Sequence, residues 1–433
     1  MKTGAQERHK KGGNNMTSSD KRKGLSPTRR DVLTIGAAGG VLLAAPWIAR
    51  PALAKDGPIK IGFPVPLTGP YGSEAQEQAR CAQIAVDEFN AAGGLGGRMA
   101  ELLVRDDKLK SGEAATRTLE LIEKDGADFI CGSLSASVQL AVNTVCAERG
   151  KIYNSISQSD AINEAGNFTK YTFHEALNPH MTAGAVGHHV FPDSGKRVAF
   201  LIADYAYGHE MARGFKVAGA DYGIEVVAEV THPLASKDFS TFLPQIQAAN
   251  PDVLCLCNFG FDQLNSLKQA TSFGMKNQMK MIAPALLYNQ RRAGGADIYS
   301  GVVGGTNYYW KLEDEIASAK AFNDSYRAQN DGAPPSDYGA YGYAGVGVLL
   351  DAVKSAGSTD TDAVIGALET LKYDKYKGQQ YYRSCDHQSV QSVFIIESKD
   401  EADMENEYDV FRVLATASAD EGALRSCAEL GHG

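Results

Sequence analysis

The sequence lacks the short motifs that mark the common catalytic and nucleotide-binding sites. It has neither the G-x-S-x-G elbow of serine hydrolases nor the H-E-x-x-H pair of zinc proteases. Its glycine-rich stretch 91–98 follows a predicted helix and precedes a predicted strand, whereas a phosphate loop needs the opposite order and a Gly-Lys-Ser/Thr end. No repeat of about 20–50 residues is evident. These absences narrow the search to functions that need no such motif.

Cysteine is scarce, and its spacing does not indicate a metal site. Of the seven cysteines, Cys255 and Cys257 lie in an apolar stretch that reads as a buried strand. No His or Cys nearby completes a tetrahedral site, so we expect buried thiols, no metal and no cofactor. Cys385 and Cys427 are the only cysteines of the C-terminal tail. In an oxidising compartment we expect these two to pair and to fix the tail.

Long apolar runs are also absent, and the N-terminal segment reads as an export signal. Residues 1–54 hold ten basic and three acidic residues, so their removal changes the net charge from −9 to −16. Arg29 and Arg30 precede an apolar run, 32–48, that is rich in Gly and Ala, and Ala52-Leu53-Ala54 offers a cleavage site. We predict a twin-arginine signal and a periplasmic protein, with a retained anchor as the alternative. The acidic remainder disfavours nucleic acid as a partner.

The stretch 59–105 reads as the first crossover of a parallel α/β sheet. An apolar strand at 59–63 is followed by the loop 68–72, a helix that Ser73 is expected to cap, and a second strand at 101–105. Ligands bind at the carboxyl ends of such strands, often against helix N-termini. This places the loop with Tyr71 at the mouth of a candidate site.

Two hydroxyl-rich loops follow the next two predicted strands. One contains Ser135, Ala136 and Ser137, and the other contains Ser157, Gln158 and Ser159. Serine hydroxyls and free helix amides can hold a carboxylate, although ordinary capping loops have the same composition. Because the two loops follow neighbouring strands, the presence of each favours a binding role for the other.

A second α/β series begins near residue 196, after a break in the pattern at Leu177. Its first strand ends in a Tyr-Gly loop that contains Tyr207, which repeats the layout of the opening unit. A later strand ends at Phe259, which would add an aromatic wall. Two similar series predict two lobes that face a cleft.

Several of these segments together resemble the leucine/isoleucine/valine-binding type of periplasmic binding protein, the solute receptors of ABC importers. The resemblance covers about 59–398 and rests on five fragments in order: P-L-T-G-P-Y-G, D-E-F-N-A-A-G-G-L-G-G-R, L-V-R-D-D, D-F-S-x-x-L with P-D-V, and R-S-C-D-H-Q. It implies two doubly wound parallel-sheet lobes joined by a three-strand hinge, the type I periplasmic binding protein fold. Lobe 1 would comprise 55–177 and 306–393, and lobe 2 would comprise 178–305 and 394–433 with the tail.

The resemblance also implies roles for individual residues. The two serine loops would hold the carboxylate and amino group of the ligand, and Tyr207 would cover it. We therefore predict ligand contacts for Tyr71, Ser135, Ala136, Ser137, Ser157, Gln158, Ser159, Tyr207, Phe259 and Ala285.

The sequence departs from the amino-acid receptors at Ala285, where they place a glutamate that pairs with the ammonium group of the ligand. No carboxylate lies between 284 and 295, so Asp204 or Asp262 would have to replace it. We expect capture of a branched-chain amino acid or a related small carboxylate, with an aromatic acid, a keto acid or an amide as alternatives. Delivery to an ABC permease follows from the resemblance alone.

Two other classes of function stay open. An exported α/β hydrolase would use Asp386 and His387, which no serine elbow or metal partner accompanies. We therefore expect these two residues to be structural and the protein not to be an enzyme. A sensor module that regulates a partner is the remaining alternative.

Overall fold

The computed structural model describes residues 57–433, and the predicted export signal lies outside them. The first sheet has five parallel strands in the order β2-β1-β3-β4-β5. These strands are β1 (Ile59–Val65), β2 (Ala100–Asp106), β3 (Phe129–Gly132), β4 (Tyr153–Ser155) and β5 (Thr172–His174). The first three helices are α1 (Gly72–Ala91), α2 (Ser111–Glu123) and α3 (Ala136–Glu148). We call this sheet and its helices lobe 1.

The start of α1 differs from the predicted one. Tyr71 is the N-cap residue, and its side chain makes no capping hydrogen bond. Ser73 lies inside the helix and donates to the Glu74 carboxylate, while the Gln76 amide donates to the Leu67 carbonyl. The predicted Ser73 cap is wrong, because the helix begins before Ser73 and the Ser73 hydroxyl bonds to Glu74 instead of a backbone amide.

The second sheet has seven strands in the order β14-β13-β10-β9-β8-β6-β7. Its parallel part comprises β6 (Arg197–Ala203), β7 (Glu225–His232), β8 (Val253–Cys257), β9 (Lys280–Ala285) and β10 (Val303–Thr306). The helices of this part are α4 (Pro179–Val190), α5 (Ala206–Ala220), α6 (Leu243–Ala248), α7 (Phe261–Ser272) and α8 (Tyr288–Tyr299). We call this sheet and its helices lobe 2. The buried strands are almost wholly apolar, as expected for a parallel sheet covered on both faces.

After β10 the chain returns to lobe 1. The elements of this segment are α9 (Ala317–Arg327), α10 (Asp337–Ala356), α11 (Thr361–Thr370), β11 (Tyr381–Tyr382) and β12 (Ser389–Val390). Helix α10 is buried along most of its length and packs against α1. The approach needs Gly342, because a Cβ there would lie 2.0 Å from the Gln78 carbonyl oxygen.

The chain then enters lobe 2 again as β13 (Val393–Ser398), which is antiparallel to β10, and β14 (Phe411–Ala417), which is antiparallel to β13. The chain has then passed between the lobes three times, after β5, after β10 and before β13. The predicted two-lobe α/β fold is therefore confirmed. We propose that lobe 1 comprises 55–177 with 306–393, and that 178–305 with 394–433 comprise lobe 2 and the C-terminal tail.

The tail after β14 leads back to lobe 1. A disulfide joins Cys385 to Cys427, with their Cα atoms 6.2 Å apart. Near it, the Arg425 guanidinium pairs with Glu164 at 2.7 Å, and the Ala165 amide donates to the Leu430 carbonyl at 2.9 Å. The tail therefore connects the lobes a fourth time. Within 57–433, no helix is long and apolar enough to cross a membrane.

Candidate ligand-binding site

Five aromatic side chains from both lobes meet where the carboxyl ends of the two sheets face each other. Tyr71 precedes α1, and Tyr338 lies in the first turn of α10, so both belong to lobe 1. Lobe 2 supplies Tyr205 and Tyr207 after β6 and Phe259 after β8. We call these five residues the aromatic cluster.

The rings of the cluster contact one another across the lobe interface. The ring centroid of Phe259 lies 4.8 Å from that of Tyr71 and 5.0 Å from that of Tyr338, both edge to face. Tyr207 lies 6.1 Å from Phe259 and stacks on Tyr205 at 5.8 Å. Edge-to-face and offset stacked rings at these separations attract one another. The cluster therefore presents flat, apolar surfaces from both sides of the interface.

The two serine loops lie side by side, as their order along the sheet predicts. The Ser157 hydroxyl donates to the Leu134 carbonyl at 2.8 Å, which joins the second loop to the first. The Gln158 amide donates to the Tyr338 hydroxyl at 3.0 Å, so the second loop also reaches the aromatic cluster. The Ser159 hydroxyl instead donates to Glu210 of lobe 2 at 3.2 Å.

The first serine loop opens α3. Ser135 is the N-cap residue, and its side chain makes no capping bond, while Ala136 is the first residue of the helix. The first amides of a helix have no intrahelical acceptor and attract anions. Ser137 is exposed, and its carbonyl accepts from the Ser111 hydroxyl, so the structure does not bring the Ser137 side chain to the cluster.

Charged groups beside the second serine loop join the lobes. The Arg213 guanidinium on α5 lies 2.8 Å from the buried carboxylate of Asp160 in lobe 1. Glu210 accepts from the Asp160 amide at 2.9 Å, and burial raises the pKa of Glu210 to about 7. Two acids and one cation thus form a bridge next to the serine loop.

A second set of cross-lobe contacts lies along α8. The Gln290 amide donates to the buried Glu74 carboxylate on α1 at 2.9 Å. The Tyr288 amide donates to Asp337 on α10 at 3.3 Å. Burial, followed by the nearby Glu74, raises the pKa of Asp337 to about 7.

Residues 58–403 match the periplasmic binding protein family. This chain belongs to that family. The predicted resemblance is confirmed, and the family is one of solute-binding receptors. The match ends before β14, so the tail with Cys427 lies beyond it.

Individual relatives give the same result. The chain is 25% identical over 356 residues to the Leu/Ile/Val-binding protein homolog 7 of Brucella abortus, covering 77% of this chain and 86% of the relative. Its structure is similar to a periplasmic binding protein from Burkholderia mallei, with 30% identity, a TM-score of 0.79 and coverage of 85% of this chain and 96% of the other. An amino acid ABC transporter substrate-binding protein from Pseudomonas fluorescens is 26% identical, with a TM-score of 0.80 and coverage of 88% and 100%.

Ala285, which the resemblance aligns with a glutamate of the amino-acid receptors, lies at the end of β9. Ala285 is buried, and its carbonyl accepts from the Gln263 amide at 2.7 Å. Tyr207 also lies beside the Ala285 backbone, which opposes the rise that burial causes in the tyrosine pKa. The Gln263 amide and the Tyr207 phenol therefore both contact the Ala285 backbone.

The two proposed substitutes for that glutamate differ in position. Asp204 is exposed and pairs with His209 at 2.9 Å. Asp262 is buried in the first turn of α7, where Oδ2 accepts from the Ala235 amide at 2.9 Å and Oδ1 has no partner among residues 57–433. Burial raises the pKa of Asp262 to about 7. Asp262 is not the N-cap of α7, because Gly260 holds that place.

Asp386 and His387 have structural partners. The Arg383 guanidinium donates to both carboxylate oxygens of Asp386, at 2.9 and 2.7 Å. The His387 ring stacks on Phe173 at 4.2 Å, and its Nδ1 lies 2.9 Å from the Thr172 carbonyl oxygen. Within the described part of the chain, no group of three His, Cys, Asp or Glu residues is arranged to hold a metal.

The predicted set omitted residues that the fold brings to the interface: Tyr205, Glu210, Gln263 and Tyr338. Tyr205 lies two residues before Tyr207, at the N-cap of α5, so the pair of tyrosines in the sequence was a usable signal. Tyr338 had none, because only the packing of α10 on α1 brings it to Gln158.

Proposed function

We propose that this protein is the solute-binding receptor of an ABC importer and holds a small carboxylate with an apolar or planar body between its lobes. The observation that carries the proposal is the aromatic cluster, to which both lobes contribute and which Gln158 connects to the serine loops. Pockets of this kind combine aromatic walls with a few well-placed polar groups.

The carboxylate would bind at the start of α3. The helix has 13 residues, and its first amides need an acceptor from outside the helix. The Ser135 hydroxyl adds a donor at the same end. The body of the solute would then lie against the rings of Phe259 and Tyr71, one from each lobe.

The bonds between the lobes support a mechanism in which solute binding is coupled to closure of the two lobes. Asp160 with Arg213, and Glu74 with Gln290, form only when the lobes meet. A solute that contacts both lobes adds free energy to the closed state and shifts the population towards it. The export signal predicted for 1–54 supports a periplasmic location, and the closed form would be recognised by the permease.

An α-amino acid is the second candidate, and the unpartnered Oδ1 of Asp262 favours it. A buried carboxylate could pair with an ammonium group in place of the missing glutamate. Burial raises the pKa of Tyr71 and the negative charge of Asp262 raises it further, so Asp262 lies close enough to act on a residue of the aromatic cluster. The names of the relatives from Brucella abortus and Pseudomonas fluorescens also support this candidate.

A thermal-shift screen tests the proposal with the purified protein. The probes are leucine, valine, phenylalanine, benzoate, phenylpyruvate and 2-oxoisocaproate. A solute that binds the native state raises the unfolding midpoint by mass action. We expect at least one carboxylate to raise the unfolding midpoint. If an amino acid gives the largest shift, the solute is the second candidate, an α-amino acid. No shift with any probe would contradict the receptor function.

Two variants locate the binding site. Phe259→Leu removes an aromatic wall, and we expect it to abolish the solute-dependent shift. Phe242→Leu is the matched control, because this phenylalanine packs beside Phe239 and His232, away from the cluster. An equal loss in both variants would show that the shift reports general stability.

A further inference from the structure

Two buried side chains of lobe 2, Tyr207 and Gln263, contact the Ala285 backbone, and each has an unsatisfied hydrogen-bonding capacity. Among residues 57–433, the Tyr207 hydroxyl proton has no acceptor and the Gln263 Oε1 has no donor. Tyr207 is 3% exposed, and Gln263 is fully buried. Burying a polar atom without a partner costs about 1–3 kcal/mol, so two such atoms at one place call for a group that satisfies both.

The orientation of the Gln263 amide follows from its neighbour. The Ala285 carbonyl is an acceptor 2.7 Å from one end of the amide, so that end must be the NH₂ group. The free end is therefore Oε1, which only accepts. The second free atom belongs to Tyr207, whose pKa burial raises well above its ordinary value. The phenol therefore keeps its proton and donates one hydrogen bond.

The pair lies next to the surface that the proposed solute would contact. The Tyr207 ring belongs to the aromatic cluster, 6.1 Å from Phe259 and 5.8 Å from Tyr205. Gln263 and Tyr207 meet the Ala285 backbone from α7 and α5, respectively. The site thus offers one acceptor and one donor at the lobe 2 wall of the cluster.

The chemistry of the pair selects among substituents. An ammonium group only donates, so it leaves the phenol without an acceptor and finds no counter-charge in Gln263 or Tyr207. A keto group only accepts, so it leaves Gln263 Oε1 unsatisfied. A hydroxyl or a carboxamide both donates and accepts, and it would satisfy the two atoms together.

We infer that the solute presents an uncharged hydroxyl or carboxamide to Gln263 Oε1 and the Tyr207 hydroxyl, so its class is the small hydroxy acids or amido acids. This inference rests on the proposed function and deepens it. Gln263 is then a residue that determines specificity through the group that it accepts from.

Matched probes test the inference by changing one substituent. Leucine, 2-hydroxyisocaproate and 2-oxoisocaproate share a skeleton and carry ammonium, hydroxyl and keto groups, and phenylalanine, phenyllactate and phenylpyruvate repeat the series with a ring. N-acetylleucine supplies the amide arm. We expect calorimetric titration to show the hydroxy acid or the amide binding about tenfold or more tightly than the keto and amino acids of its series.

Variants of Gln263 then assign the preference. Gln263→Leu removes the acceptor. We expect the dissociation constants of the hydroxy and keto acids to differ by less than about twofold in this variant, because the lost hydrogen bond accounts for the difference in the wild type. Gln263→Glu supplies a carboxylate, and we expect it to improve amino-acid binding. Gln269→Leu and Gln269→Glu are the controls, because the Gln269 amide also donates to a backbone carbonyl, that of Lys237 at 3.0 Å, but lies on the far part of α7. These controls should keep the wild-type order of affinities.

The outcomes separate the two proposals. If no probe binds, the receptor proposal fails and the inference falls with it. If the amino or keto acids bind wild-type protein as tightly as their hydroxy and amide counterparts, the inference alone is overturned. A preference for hydroxy acids that survives Gln263→Leu would also overturn the role given to Gln263.

Discussion

The phenol oxygens of Tyr71 and Tyr205 lie 3.1 Å apart, and the hydrogen bond between them joins lobe 1 to lobe 2. The bond can form only when the lobes are close, because the two residues belong to different sheets. Its energy therefore contributes to closure and, through closure, to the affinity for a solute. The contribution is accessible to experiment, since phenylalanine removes the hydroxyl and keeps the ring.

We expect Tyr205→Phe to weaken binding of the best carboxylate in the screen by about 0.5–1.5 kcal/mol, which is the net value of one hydrogen bond. Tyr71→Phe should have a similar effect, and the double variant should lose little more than either. Calorimetric titration measures all three. Tyr222→Phe is the control, because the Tyr222 hydroxyl bonds His188 within lobe 2 at 3.1 Å. Fully additive losses would show that the two hydroxyls act independently.

Gly260 allows a close approach between the lobes near the aromatic cluster. Its φ is +58°, and a Cβ there would lie 2.8 Å from both the Pro70 carbonyl oxygen and the Tyr71 ring. We expect Gly260→Ala to hold the lobes apart and weaken solute binding at least about tenfold, equivalent to about 1.4 kcal/mol. Small-angle scattering should show a larger radius of gyration.

The control for Gly260 lies at the other end of the same helix. Gly274 has a φ of +71°, and a Cβ there would meet nothing within 4 Å. Gly274→Ala therefore strains the backbone without touching lobe 1. Equal losses of affinity in the two variants would contradict a cross-lobe clash as the cause.

Much of the fold was predictable because its signals are local. Strand 59–63 and the loop at Tyr71 read directly from apolar alternation and turn residues, and the order of the units predicted two lobes. The start of α1 was misplaced because the Ser73 hydroxyl has a competing acceptor, Glu74, which no local rule reveals. The antiparallel pair β13 and β14 was not predicted, since it depends on contacts between distant segments.

The candidate site was less predictable, because it depends on contacts between segments that are distant in sequence. The sequence predicts which residues follow a strand. It does not predict which of their side chains face the cleft, because that orientation depends on packing against the other lobe. Gln263 is an example, because its amide meets Ala285 through the packing of α7 beside β9. Ser137 is the opposite case, since one step along α3 turns its side chain to solvent. Ligand contacts for the ten predicted residues stay predictions.

Asp337 gives a prediction for the dependence of stability on pH. Its pKa is raised to about 7 in the folded protein, whereas the unfolded chain has the ordinary value of 3.8. Between these values the folded state binds more protons, so the free energy of unfolding falls as pH rises from about 4 to about 7. Asp337→Asn cannot titrate, and its side-chain oxygen can still accept from the Tyr288 amide.

We expect Asp337→Asn to reduce this slope by up to about 1.4 kcal/mol per pH unit, the value for one proton. Urea denaturation at several values between pH 5 and pH 8 measures the slope. Part of the slope should remain in Asp337→Asn, because Asp262 and Glu210 also have pKa values of about 7. Asp362→Asn, at an exposed position on α11, is the control. A slope that is the same in wild type and Asp337→Asn would show that this carboxyl titrates alike in both states.

The disulfide gives a prediction for stability without solute. Cys385 and Cys427 are 42 residues apart in sequence, and a cross-link of that span lowers the entropy of the unfolded chain by an amount worth about 4 kcal/mol. We expect Cys427→Ser to reduce the free energy of unfolding by about 2–4 kcal/mol. Cys385→Ser should reduce the free energy of unfolding by the same amount, and the double variant should show no larger reduction. A further loss in the double variant would mean that the thiols contribute separately.

The disulfide also closes a covalent ring that passes through both lobes. The ring that Cys385 and Cys427 close contains β13 and β14, which pair within lobe 2, while its ends are fixed on lobe 1. While the bond is intact, this part of lobe 2 is therefore tethered to lobe 1 at both of its ends. The two strands cannot move away from lobe 1 by more than the length of the ring allows.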